Sequence, residues 1–173
     1  MEINKETIRE YAKKYNDWYI GTAYETTENE IKAWLKTHRY LDKERFVEIG
    51  CWKSPRTRNH YENNNPALVK EITKFGFATN NEEAMIMVLR GLNGVEYPVG
   101  SAILQFAFPD KYPILDFRTL WSLGWEQPRY YTFGFWQKYC GKIQDISKET
   151  GESIRTVDKA LWEYSKEHQP KKK

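Results

Sequence analysis

The chain has little cysteine, histidine or methionine, and almost no net charge. Two cysteines, Cys51 and Cys140, are too few for a four-cysteine iron–sulfur cluster, and their apolar helical surroundings read as reduced core thiols. The histidines His38, His60 and His168 are scattered without ligand spacing, which argues against a catalytic metal. No apolar run approaches the length of a membrane span, and the charged start MEINKETIREYAKKYN has no signal-peptide core, so a cytoplasmic protein is expected. The formal net charge is +3, with Lys171, Lys172 and Lys173 as a basic tail; total charge does not announce a nucleic-acid binder, and any such role must come from how charge is distributed. Strand alternation and internal repeats are absent. The only low-complexity runs are Asn63–Asn65 and the lysine tail.

What is present is helical periodicity and many rings. At 173 residues the chain suits one domain, or two lobes sharing a cleft, with a substantial core. Seven Trp and twelve Tyr suggest both core filling and ring platforms. Asn4 caps a helix with Ile8, Tyr11, Ala12 and Tyr15 on one face; Thr27 to His38 and Leu41 to Cys51 supply two more. WKSPRTRNHYENNNP reads as irregular, broken by Pro55, the Asn run and Pro66. Asn65-Pro66 opens a helix through Leu68, Val69, Ile72 and Phe75 that Gly76 should stop, and Asn80 or Asn81 caps the next. Two further helices carry Trp136, Tyr139 and Ile143, and, behind Ser153, Val157, Leu161 and Tyr164.

The stretch from Leu92 to Gly124 organises the rest. Ala84, Met85, Val88, Leu89 and Leu92 recur at helical spacing, and Gly94 sits where a left-handed residue is wanted. Pro98 falls in a first helical turn, and Val99, Ala102, Ile103 and Phe106 follow as one buried stripe. A tight turn leading into a helix N-terminus offers unpaired N–H groups to an anion such as phosphate. After the Pro113-Ile114-Leu115 extension, Asp116 begins DFRTLWSLG as an N-cap.

This segment resembles the helix-hairpin-helix DNA glycosylases. Leu92, Gly94, Val95 and Gly100 match the family's hairpin, and Ile114, Leu115 and Asp116 match its catalytic acid at the family's separation. Two positions depart from the pattern: Glu96 replaces the second hairpin glycine, and Pro98 stands where bifunctional members carry a Schiff-base lysine. The resemblance implies an all-α, two-lobed helical domain over residues 1–173, with the motif at about 82–108, the catalytic segment at about 113–124, and C-terminal helices 134–168 packing back on the N-terminal part. It also implies a monomer acting on double-stranded DNA that contains a modified or damaged base, with no cofactor beyond a monovalent cation at the hairpin.

The expected activity is that of a monofunctional glycosylase, with Asp116 driving water onto C1′ of an extruded nucleotide. Gly94, Val95, Tyr97, Gly100 and Ser101 would grip the flanking phosphate. Lys53, Arg56 and Arg58, interleaved with Trp52, His60 and Tyr61, suit phosphate contacts and stacking, though a solvated basic loop has the same composition. Arg118 could reach a phosphate or pair with Asp116. Trp52, Tyr61, Asn63, Tyr130 and Tyr131 are candidates for the base pocket, against plain ring packing. Alkylated purines, oxidised purines and enlarged phage-type pyrimidines such as glucosylated hydroxymethylcytosine all remain open as substrates, so base-excision repair and phage defence do too. The competing reading is a non-catalytic helix-hairpin-helix DNA-binding module in which Asp116 only caps.

Overall fold

A computed structural model describes residues 2–170, and all regular structure among them is helical. These residues gather into two compact units. One is the continuous segment Ala23–Phe108; the other joins the N-terminal residues through Thr22 to the chain from Pro109 onward.

The continuous unit holds α2 (Ala23–Thr37), α3 (Lys43–Lys53), a 3-10 turn (Pro55–Thr57), α4 (Arg58–Glu62), α5 (Pro66–Ala78), α6 (Glu82–Leu89) and α7 (Tyr97–Ala107). At its centre lies α7, where Tyr97 and every residue from Val99 to Phe106 are buried. A helix apolar around its whole circumference needs neighbours on several sides, and α2, α3 and α6 supply them. The stretch expected to be irregular after Trp52 is in fact the 3-10 turn and α4, because Pro55 is tolerated at a helix start. Asn65 caps α5 as expected, accepting from Ala67 N and Leu68 N. Gly76 does not stop that helix: it is buried inside α5, where an added Cβ would lie 3.3 Å from Val88 Cγ1, so its smallness serves the approach of α6. The expected apolar stripe of α5 is also rotated, leaving Leu68 and Phe75 exposed while Val69, Thr73 and Phe77 face inward.

The second unit contains α1 (Lys5–Tyr19), α8 (Phe117–Ser122), α9 (Phe133–Thr150) and α10 (Ile154–His168). Here α10 packs against the other three, so the chain's two ends meet. Trp136, Tyr139, Ile143, Val157 and Leu161 are fully buried in its core. Asn4, Asp116, Thr132 and Ser153 cap the four helices with their side chains. Among the described residues no helix is long and apolar enough to cross a membrane.

Candidate functional site

The turn between α6 and α7 is built around a glycine and an asparagine. Gly94 has φ +86°, a conformation side-chain-bearing residues resist. A Cβ there would also lie 2.7 Å from Tyr61 Cε1, while one on Gly50 of α3 would lie 2.6 Å from Tyr61 Cδ2. The fully buried Tyr61 ring therefore fits between two glycines, one on a helix and one in the turn. Tyr61 is not a base-pocket residue as expected but the wedge that supports the turn. Asn64, which sequence pattern does not separate from its neighbours, is the clasp. Its Oδ1 accepts from Asn93 N at 2.8 Å, and its Nδ2 donates to Asn93 O at 3.1 Å and to Tyr61 O at 3.0 Å. Asn64 is buried, whereas Asn63, the expected pocket residue, is exposed at the end of α4.

Above this wedge lies an open groove of about 350 Å³, lined by Ser54, Thr57 and His60 on one wall and by Gly94, Val95, Glu96, Pro98 and Val99 on the other. It brings together the two segments singled out in the sequence, the hairpin and the region after Trp52. The first turn of α7 forms part of its wall, but Pro98 carries no N–H and Gly100 N already donates to Glu96 O. Glu96 does not leave its charge unbalanced here, because Arg90 binds its Oε2 through Nε (3.1 Å) and a terminal nitrogen (2.9 Å).

Several expected DNA contacts turn out to be core. Tyr97 is buried with the Arg90 guanidinium 4.5 Å from its ring centre. Ser101 is fully buried and donates to Pro98 O at 2.8 Å, and Gly100 N donates to Glu96 O at 2.8 Å, so none of the three presents a free group to a phosphate. Val95 is buried too, its N–H donating to Leu92 O. Within the turn, Leu92 O accepts from Val95 N and Asn93 O from Asn64 Nδ2. Of the basic residues, Arg56 is exposed, Arg58 is exposed and paired with Glu62 at 2.7 Å, and Lys53 ends α3. Trp52 donates from Nε1 to Tyr24 O and sets its edge against Phe106, which ties it to α2 and α7.

Asp116 belongs to the other unit. Its half-buried carboxylate accepts from Arg118 N at 2.9 Å and caps α8. The backbone leading to it is fixed by buried side chains that sequence reading did not find. Ile114 N donates to Asp158 Oδ2 and Ile114 O accepts from Tyr139, both at 2.8 Å; Thr119 donates to Asp116 O at 2.7 Å and lies 2.9 Å from the Tyr139 hydroxyl. Burial raises the Tyr139 pKa well above its ordinary value, with the Asp158 charge acting in the same direction, so the phenol remains a donor. The Arg118 guanidinium does not turn to the acid; it lies 5.0 Å from the Trp162 ring centre and 5.2 Å from that of Phe117. Tyr131 is half-buried against Phe135, and its pKa is raised first by burial, with the Asp116 charge a smaller contribution. Tyr130 is 72% exposed, with Arg129 over its ring. Among the described residues no three His, Cys, Asp or Glu side chains gather where a metal could be held.

Compared with known proteins, the chain matches no family model, no curated protein and no solved structure.

Proposed function

We propose that the chain is a monofunctional DNA glycosylase of helix-hairpin-helix type. The observation that carries this reading is the open groove at the α6–α7 turn, where the left-handed Gly94 and the Pro98 end of α7 share a lining with Ser54, Thr57 and His60, side chains of the kind that donate to a DNA phosphate. Asp116 supplies the chemistry. Its carboxylate stabilises the cation that develops on the deoxyribose as the N-glycosidic bond breaks; water adds its oxygen to C1′, and its proton goes to the departing base, leaving an abasic site. Asp158, Tyr139 and Thr119 act as positioning residues, because they fix the backbone that carries the acid. Pro98 at the lysine position implies an intact abasic strand, and borohydride should trap no covalent adduct.

The test is abasic-site formation on a panel of DNAs carrying alkylated purines, oxidised purines or enlarged phage pyrimidines. Asp116→Asn should lose activity by about two orders of magnitude or more while still binding DNA. Equal excision by Asp116→Asn and wild type would remove the catalytic assignment. A second reading, the non-catalytic DNA-binding module, is favoured by the hydrogen bond from Arg118 N to Asp116, which gives the carboxylate a capping role of its own. Duplex binding without excision of any base in the panel would select it.

A further inference from the structure

One face of the second unit is an array of rings and cations that base excision does not use. Along α10, Arg155, Lys159, Trp162 and Lys166 fall at i, i+4, i+7 and i+11, which is one stripe of the helix. From α1, Trp18 sets its ring 5.6 Å from that of Trp162, and Lys166 lies over both rings, 4.5 Å from the centre of Trp18. The start of α8 adds Phe117 and Arg118, whose guanidinium lies over Trp162. The platform is accessible: Trp18 is 38% and Phe117 47% exposed. It is also braced from beneath. Glu163, a buried carboxylate, accepts from Trp18 Nε1 at 2.7 Å and from Lys166 at 2.9 Å, which fixes the indole plane.

We infer that this Trp18–Trp162–Phe117 platform binds the unpaired nucleotides of single-stranded DNA, bases stacking on the rings and Lys166 and Arg118 meeting the phosphates. Charge selects this occupant. Lys166 and Arg118 lie over these rings, Arg155 and Lys159 continue the stripe over Tyr15 and Tyr19, and Glu163 is buried and already shared between Trp18 and Lys166. A ligand that is flat, apolar on its faces and negatively charged along its edge satisfies both features, and a nucleotide strand is that ligand. An exposed cation over a ring is a weaker contact than a stacked base. An arriving base therefore displaces the Lys166 ammonium, whose flexible stem lets it swing to the adjacent phosphate.

The inference does not depend on Asp116, so Asp116→Asn should keep this activity even where excision is lost. Titration with single-stranded oligothymidine, followed by tryptophan quenching, should show binding that weakens with salt. Trp18→Ala should weaken it about tenfold. Trp18→Phe, which loses the same bond to Glu163 but keeps a ring, should bind close to wild type. Lys166→Glu should weaken binding and lower the salt slope by about one. Photocrosslinking with an iododeoxyuridine strand should label the peptides bearing Trp18 or Trp162. Wild type failing to bind the strand at low salt would overturn the inference. So would wild-type affinity in folded Trp18→Ala and Lys166→Glu, an equal loss in Trp18→Phe and Trp18→Ala, or crosslinks confined to other peptides.

Discussion

The most constrained residue of the candidate phosphate site is Gly94, where two independent demands coincide. Its φ of +86° disfavours any Cβ by about 1–2 kcal/mol, and the Tyr61 ring leaves no room for one. Gly50 feels only the second demand. Gly50→Ala should cost about 1–3 kcal/mol through overpacking against Tyr61, read as a lower denaturant midpoint. Gly94→Val should cost more and should weaken binding to all duplex sequences alike, because a phosphate contact carries no base information. A folded Gly94→Val that binds as well as wild type would remove the hairpin as the DNA anchor. Glu96 offers a gentler probe. Its pair with Arg90 is exposed and worth at most about 1 kcal/mol, so Glu96→Gln should be tolerated by the fold. It removes a negative charge from the groove wall and frees Arg90, so duplex affinity should rise, more at low salt than at high. Weaker binding by that variant would mean the pair orders the groove.

At the level of elements, the extension into Asp116 hangs on α9 and α10 through Tyr139 and Asp158. Tyr139 has a raised pKa when folded, so its protonated form is favoured by folding. The resulting stability is complete below the unfolded tyrosine value of about 10 and is lost as pH climbs beyond it, where the unfolded chain releases the proton and the folded one must hold it. Unfolding midpoints measured from pH 8 to 11 should fall at the alkaline end. Tyr139→Phe should flatten part of that fall, since Tyr11, Tyr61 and Tyr131 are raised by burial too. At neutral pH the same variant should lose about 1–3 kcal/mol, because the buried Ile114 carbonyl is left without its donor. An unchanged alkaline slope in Tyr139→Phe would show that the phenol is not the titrating group.

For the molecule as a whole, the two units differ in how the chain builds them. Ala23–Phe108 is one continuous stretch, whereas the other unit needs both ends of the chain. Rings of α1 pack on α10 at Tyr15–Trp162 and Tyr11–Tyr164, and Arg9 pairs with Glu152 at 2.6 Å. Deleting residues 1–22 should therefore strip the cover from α10 and abolish cooperative unfolding of that unit. An expressed 23–108 segment should keep its helical circular dichroism and a cooperative melt. A 23–108 segment without helical signal would show that the continuous unit cannot fold alone.

The sequence by itself determined the helical class, the capping residues Asn4, Asn65, Asp116 and Ser153, and the burial of Val99, Ala102, Ile103 and Phe106 on α7, because caps and 3.6-residue periodicity are local properties carried by neighbours in the chain; that most of the rest of α7 is buried too was decided by packing. It also marked Gly94 and the segment after Trp52, each by itself, as candidate DNA contacts. Only tertiary structure decided that Tyr61 is a wedge and not a pocket wall, that Asn64 and not Asn63 does the holding, and that Ser101 and Tyr97 face the core. The same holds for Asp158 and Tyr139, which reach Ile114 from helices far along the chain. These roles depend on which surfaces meet after the helices pack. A hydrogen bond or ring contact between distant residues leaves no periodicity in the chain to read.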